Sequence, residues 1–126
     1  MIFGIGTDIV TIARMGELYE RHGERALGKL LAPEETPICL KAADPPRYLA
    51  KRFAAKEALG KALGTGIRAP VLLPAMAVLN DELGKPYFRF SGDLAVYISE
   101  RRLKVHLSIS DERDSAVAFV VVEQDS

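Results

Sequence analysis

The chain has 126 residues, 48% of them hydrophobic and 27% charged, and its 17 Lys and Arg are balanced by 17 Asp and Glu. That length predicts one domain, and a net charge of zero excludes a whole-molecule polycation built to coat nucleic acid. A single cysteine, Cys39, excludes an internal disulfide, and no apolar run approaches the roughly 20 residues of a membrane-spanning helix.

The opening MIFGIGTDIV has no basic stretch and meets Asp8 too early for a secretory leader, so a cytoplasmic protein is expected. Ile2 to Val10 is rich in β-formers and punctuated by Gly4 and Gly6, which predicts a buried strand that another backbone approaches closely. Thr11 is placed as the N-cap of a helix over 12–21 that stops near Gly23, and a short helix is expected from Glu24 to Leu30. Pro33 is placed for the first turn of a third helix, with Glu34 and Glu35 near the positive end of its dipole. Asp44-Pro45-Pro46 interrupts the helical pattern, because a residue before proline is pushed towards extended geometry.

Arg47 to Leu63, RYLAKRFAAKEALGKAL, is the strongest predicted helix, since Ala, Leu, Lys and Glu dominate it. Its alanines imply close packing against a neighbour, and Gly64 supplies a left-handed cap. Strands over Ala75–Asn80 and Pro86–Phe90 flank a turn at Asp81–Gly84. A helix over Gly92–Arg102 follows, and then strands over Lys104–Ser110 and Ser115–Glu123 joined by Asp111–Asp114. With no repeat or linker, residues 1–126 read as one α+β domain, an antiparallel sheet packed with helices.

Charge is not evenly spread. Between Lys41 and Arg68 stand seven cations and two acids, which suits a focused anionic ligand, although a solvated helix face accounts for the same residues. Within that stretch Glu57 and Lys61 are four apart and share a face, with Lys51, Arg52 and Lys56 around them. A carboxylate among ammonium groups suits a metal–phosphate site, and it also suits an ordinary surface ion pair. Asp8 lies in an apolar strand, where an unpaired charge is costly; it either caps the following helix or joins Glu57 on a magnesium ion. His106, Ser108 and Ser110 alternate with Leu107 and Ile109, so one face of that strand carries an imidazole and two hydroxyls. GIGTDI lacks the third glycine of a dinucleotide fingerprint, GKALGTG is no phosphate-binding P-loop, and one Cys with two His makes no zinc set.

Three segments in order, GIGTDIV at 4–10, RFAAKEALGKALGTGI at 52–67 and VHLSISDE at 105–112, resemble the holo-[acyl-carrier-protein] synthase family of bacterial 4′-phosphopantetheinyl transferases. The resemblance implies that family's fold and a magnesium-dependent transfer of 4′-phosphopantetheine from coenzyme A to a serine of apo-acyl carrier protein, in support of fatty acid biosynthesis. Adenosine 3′,5′-bisphosphate is the expected by-product. By position, Asp8 and Glu57 are the expected metal ligands, and Lys56 and Lys61 meet the phosphates. Glu57 or Lys61 helps to deprotonate the serine, and His106 lies beside the coenzyme. Gly64 and its neighbouring amides, with Arg68, are further anion contacts, or Gly64 is a plain helix cap. Arg14 matches a family position that contacts the acidic carrier. Arg21 and Arg25 continue that basic face if the first helix is unbroken. A homotrimer with active sites between subunits is also implied. Asp111 stands where many members of the family have histidine, so no role transfers to it and it reads as a turn residue.

A different class of reading, a non-catalytic module that binds a phosphorylated ligand or short nucleic acid through residues 47–68, would need no metal and would weaken steeply with salt. The aromatics Tyr48, Phe53, Tyr87, Phe88 and Phe90 are too few and too core-like for a base-stacking platform.

Overall fold

The computed structural model describes every residue, Met1–Ser126. Strand β1 (Ile2–Thr11) pairs antiparallel with β5 (Ser115–Gln124), which pairs antiparallel with β4 (Leu103–Asp111), giving the order β1-β5-β4. A separate hairpin is formed by β2 (Met76–Asn80) and β3 (Pro86–Phe90). The helices are α1 (Ile12–His22), α2 (Glu24–Leu30), α3 (Thr36–Lys41), α4 (Pro45–Leu63) and α5 (Gly92–Glu100), with one 3-10 turn at Leu73–Ala75. None is long and apolar enough to cross a membrane.

Helix α4 is the axis of the molecule. Asp44 caps it by accepting from the Arg47 amide at 3.2 Å, an interaction that contributes about 1 kcal/mol. The two prolines occupy its first turn, where no amide donor is needed; they start the helix rather than interrupt it. At the far end Gly64 adopts φ 80°, as expected.

The sheet lies on α4 through small residues. Alternation along β1 turns Gly4, Gly6, Asp8 and Val10 towards the helix and Ile5, Thr7 and Ile9 outwards. A Cβ on Gly4 would strike the carbonyl of Ala62, and one on Gly6 that of Ala58. Two residues of strand advance about 6.6 Å and four of helix about 6 Å, so β1 and α4 run past one another in step. The next step along the strand carries Asp8 to the part of α4 that holds Glu57. Ala54, Ala58, Ala116, Ala118, Val120 and Val122 fill the interface, all fully buried. The opposite face of the sheet exposes Ile5, Ile9, Val117 and Phe119.

Two further helix ends and one cap differ from expectation. Helix α3 starts at Thr36, not Pro33, because Glu35 is drawn inside and caps Ala32 instead of decorating a first turn. Helix α5 ends at Glu100, and Arg102 takes φ 53°, which turns the chain directly into β4. The Thr11 hydroxyl makes no cap bond; the Ile12 amide donates instead to the Asp114 carbonyl at 2.9 Å. Gly23, at φ 55°, separates α1 from α2, as expected.

Candidate active site

Two acids from distant parts of the sequence meet beside β1 and α4. Asp8 projects from the helix-facing side of the strand, and its Oδ1 accepts from Lys61 Nζ at 2.9 Å. The same ammonium donates to the Thr7 carbonyl at 3.0 Å. Partial burial, together with the negative charge of Asp8, pushes the Glu57 carboxyl above its usual range, while Lys61 and Arg14 pull it down. The opposing pulls place all four charges in one neighbourhood: two acids, one lysine and one arginine.

Lys61 therefore pairs with Asp8 across the strand–helix contact, not with Glu57 one turn before it. Its side chain is 54% exposed against 18% for Asp8, so the ammonium sits at the mouth and the carboxylate deeper in. The oxygens here, two carboxylates and the Thr7 carbonyl, have the chemistry preferred by a hard divalent cation. Nowhere do three acids, histidines or cysteines converge. The residues thus fit magnesium that keeps water and ligand phosphate in its shell, not an ion caged by protein alone.

Lys56 does not join them. One residue along a helix turns the side chain by about 100°, which takes Lys56 to the opposite, interior face. It is fully buried, and its three protons go to Glu35 Oε1 at 2.5 Å, the Leu30 carbonyl at 2.8 Å and the Leu73 carbonyl at 3.1 Å. Burial pulls its pKa down and Glu35 opposes that pull. Glu35 also accepts from the amides of Ala32 and Val78 at 2.8 and 2.9 Å. The expectation that Lys56 meets phosphate is corrected on this geometry: its donors are spent on α2, the 3-10 turn and Glu35, and Glu35 in turn holds β2. Glu35 was missed because an acid beside Pro33 reads as an ordinary first-turn residue.

A second basic feature lies at the other end of α4. A groove of about 430 Å³ is lined by Arg47, Tyr48, Lys51, Arg52, Asn80 and Pro86, among others. Arg52 donates to Asn80 Oδ1 at 2.7 Å and lies 4.5 Å from the centre of the Tyr48 ring, yet its buried Nε has no partner. Asp111 is more than a turn residue here. It accepts from Arg47 at 2.8 Å and stands 3.6 Å from Lys51. Arg47 also donates to the carbonyls of Glu112 and Arg113, which fastens the β4–β5 turn to α4.

His106 lies on the outer face of the sheet, its Nε2 2.5 Å from Glu123 Oε1, and that contact holds the Glu123 carboxyl below its usual range. Ser108 and Ser110 are exposed on the same strand face, as the alternation predicts. Gly64 ends α4 and is exposed; its amide is already bonded to the Lys61 carbonyl at 3.1 Å. Arg14 and Arg21 are exposed on α1, while Arg25 belongs to α2, so the uninterrupted basic face is not formed. Arg25 instead lines a hollow of about 280 Å³ with Leu18, His22, Ala26, Lys29 and Leu30.

Residues 4–120 match the model of the 4′-phosphopantetheinyl transferase superfamily. A holo-[acyl-carrier-protein] synthase of Dechloromonas aromatica is 58% identical over 123 residues, covering 98% of each chain. The crystal structure of the synthase from Neisseria meningitidis superposes with a TM-score of 0.94 at 46% identity, over 98% of this chain and 100% of that one. The Bacillus anthracis synthase, solved in complex with coenzyme A (3′,5′-ADP), gives 0.84 at 35% identity over 99% of both.

Proposed function

The chain belongs to the holo-[acyl-carrier-protein] synthases of the 4′-phosphopantetheinyl transferase superfamily, and from that premise we propose how its residues carry out the transfer. The enzyme moves phosphopantetheine from coenzyme A to a serine of apo-acyl carrier protein. The serine oxygen attacks the phosphorus that bears pantetheine, the diphosphate bridge breaks, and adenosine 3′,5′-bisphosphate leaves with the electron pair. Positioning and charge neutralisation do most of the work in such phosphoryl transfers.

Asp8 and Glu57 are the magnesium ligands in this reading, a role supported by their convergence from residues 49 apart in sequence. A divalent cation held by Asp8 and Glu57 would supply positive charge to offset that of the phosphates. Lys61 presents its ammonium to the diphosphate, and Glu57, as a carboxylate, receives the serine proton. The exposed Arg68 flanks that end of the helix as a further anion contact, whereas the Gly64 amide, bonded to the Lys61 carbonyl, serves as a helix cap. The Arg47–Lys51–Arg52 groove, with an unpartnered Arg52 Nε, suits the nucleotide phosphate.

Only a single sugar separates the diphosphate of coenzyme A from its 3′-phosphate. Arg52 lies five residues, about 7.5 Å of helix, from Glu57, but Arg47 lies ten, about 15 Å, further than that sugar reaches, so we read the Arg47 end of the groove as facing the ligand of a neighbouring subunit. The exposed apolar face of Ile5, Ile9, Val117 and Phe119 supports association of copies of this chain, and a homotrimer with the coenzyme between subunits is the arrangement we favour. His106, on that same sheet face, then stands beside the coenzyme at the seam.

Arg14 is positioned to link the two substrates. It is exposed for an acidic carrier and close enough to bear on Glu57. Arg21 and the Arg25 hollow extend the docking surface. The protein is read as one domain over residues 1–126 that acts in the cytoplasm, where a carrier for fatty acid biosynthesis is modified. The observation carrying the proposal is the meeting of Asp8, Glu57 and Lys61. Mass spectrometry of apo-acyl carrier protein incubated with coenzyme A and magnesium tests it: the carrier gains the mass of phosphopantetheine, and chelation of the metal abolishes the gain. Full transfer after chelation overturns the metal-dependent reading.

A further inference from the structure

The Asp8–Lys61 pair has a consequence for how the site fills. Lys61 Nζ holds Asp8 Oδ1 and the Thr7 carbonyl together, at 2.9 and 3.0 Å, and so occupies the oxygens on which a divalent cation would be held. The local charge is closed as well, since Asp8 and Glu57 are matched by Lys61 and Arg14. Adding a divalent ion alone leaves this partly buried neighbourhood with two excess positive charges. Adding the same ion with a diphosphate leaves none. An uncompensated charge away from water is strongly disfavoured, so the two additions differ greatly in free energy.

We propose that Lys61 is a placeholder for the metal: its ammonium holds Asp8 until the diphosphate of coenzyme A draws it away, so that divalent cation and coenzyme load together. The proposal rests on the two-carboxylate metal site put forward above. Lys61 is suited to the exchange. It is a flexible four-carbon stem with a half-exposed head, and its ammonium serves a carboxylate and a phosphate equally well. Asp8, being deeper and carried on a strand clamped against α4, stays where it is. Lys61 thus contributes to affinity in two opposite senses, resisting the lone metal and favouring the metal with its diphosphate. A positive coupling free energy between the two ligands follows, reciprocal by linkage.

Manganese binding, followed by electron paramagnetic resonance with the full chain, tests this without turnover, because no carrier protein is present. With Mn²⁺ alone, Lys61→Met binds about tenfold more tightly than wild type, and the factor by which coenzyme A raises Mn²⁺ affinity shrinks by about the same amount. Lys61→Gln repeats the result should the Met variant fold poorly, and Lys61→Arg, which keeps the charge, stays near wild type. Lys41→Met, which removes a cation from α3, leaves Mn²⁺ affinity unchanged. Equal or weaker Mn²⁺ binding by both Lys61→Met and Lys61→Gln overturns the placeholder, and so does an equal gain in Lys41→Met. The underlying metal site fails separately: in that case Asp8→Asn and Glu57→Gln leave Mn²⁺ binding in the presence of coenzyme A untouched.

Discussion

Glu57 shows how a single side chain acquires its chemistry from its neighbours. Burial and Asp8 hold its proton on, so it stays neutral to higher pH than an exposed glutamate. A carboxyl of raised pKa becomes a competent cation ligand only above that value. The acid limb of kcat/KM is therefore expected to lie above the ordinary glutamate value of about 4.3. Glu57→Gln should remove that limb and lower the rate about 10²-fold or more, as loss of an electrostatic stabiliser does elsewhere. A pH–rate profile of both proteins checks it. Its neighbour Lys56 plays no such part. Truncating it as Lys56→Met leaves the Glu35 carboxylate buried without a counter-charge, with an expected loss of about 3–5 kcal/mol in urea unfolding. The double variant Lys56→Met/Glu35→Gln, which no longer buries a lone charge, should regain part of that loss.

At the scale of elements, the decisive contact is β1 against α4. Gly4 and Gly6 have no Cβ because the carbonyls of Ala62 and Ala58 stand where it would go. Gly6→Ala is expected to push the strand off the helix, losing about 1–3 kcal/mol of stability. Because Asp8 is two residues along, the same change should lower turnover more than it lowers binding of the carrier; thermal melts and kcat against KM separate the two effects. Helix α1 carries Arg14, the proposed docking residue. Arg14→Glu should raise KM for the carrier and flatten its salt dependence, since the substitution acts on an attractive surface charge. An unchanged KM at low salt removes α1 from the docking surface.

For the whole molecule, the sheet is two-sided in an unequal way. Its inner face is sealed by α4, while its outer face leaves Ile5 61% and Ile9 66% exposed, with Val117 opposite Ile9 and Phe119 opposite Thr7 on β5. If the proposed trimer forms through this face, Ile9→Asp or Phe119→Asp should give monomers in sedimentation velocity, keep helical circular dichroism, and abolish transfer. Monomers that retain full activity would show that the groove at Arg52 and the acids at Asp8 and Glu57 are not joined across a subunit seam.

Periodicity and turn chemistry made most of the elements legible from the residues alone. The α4 pattern, the Gly64 cap, the β3 limits and the alternation at His106–Ser110 depend on near neighbours in the chain, and near neighbours are what a sequence displays. The three motifs likewise pointed to the superfamily. Long-range contacts decided the rest. Lys56 and Lys61, five apart and chemically alike, look interchangeable in the sequence, yet one is sealed against Glu35 and the other stands over Asp8. Which way each points depends on what packs on each side of α4. Burial is a property of the assembled layers, and neither residue spacing nor local propensity contains it.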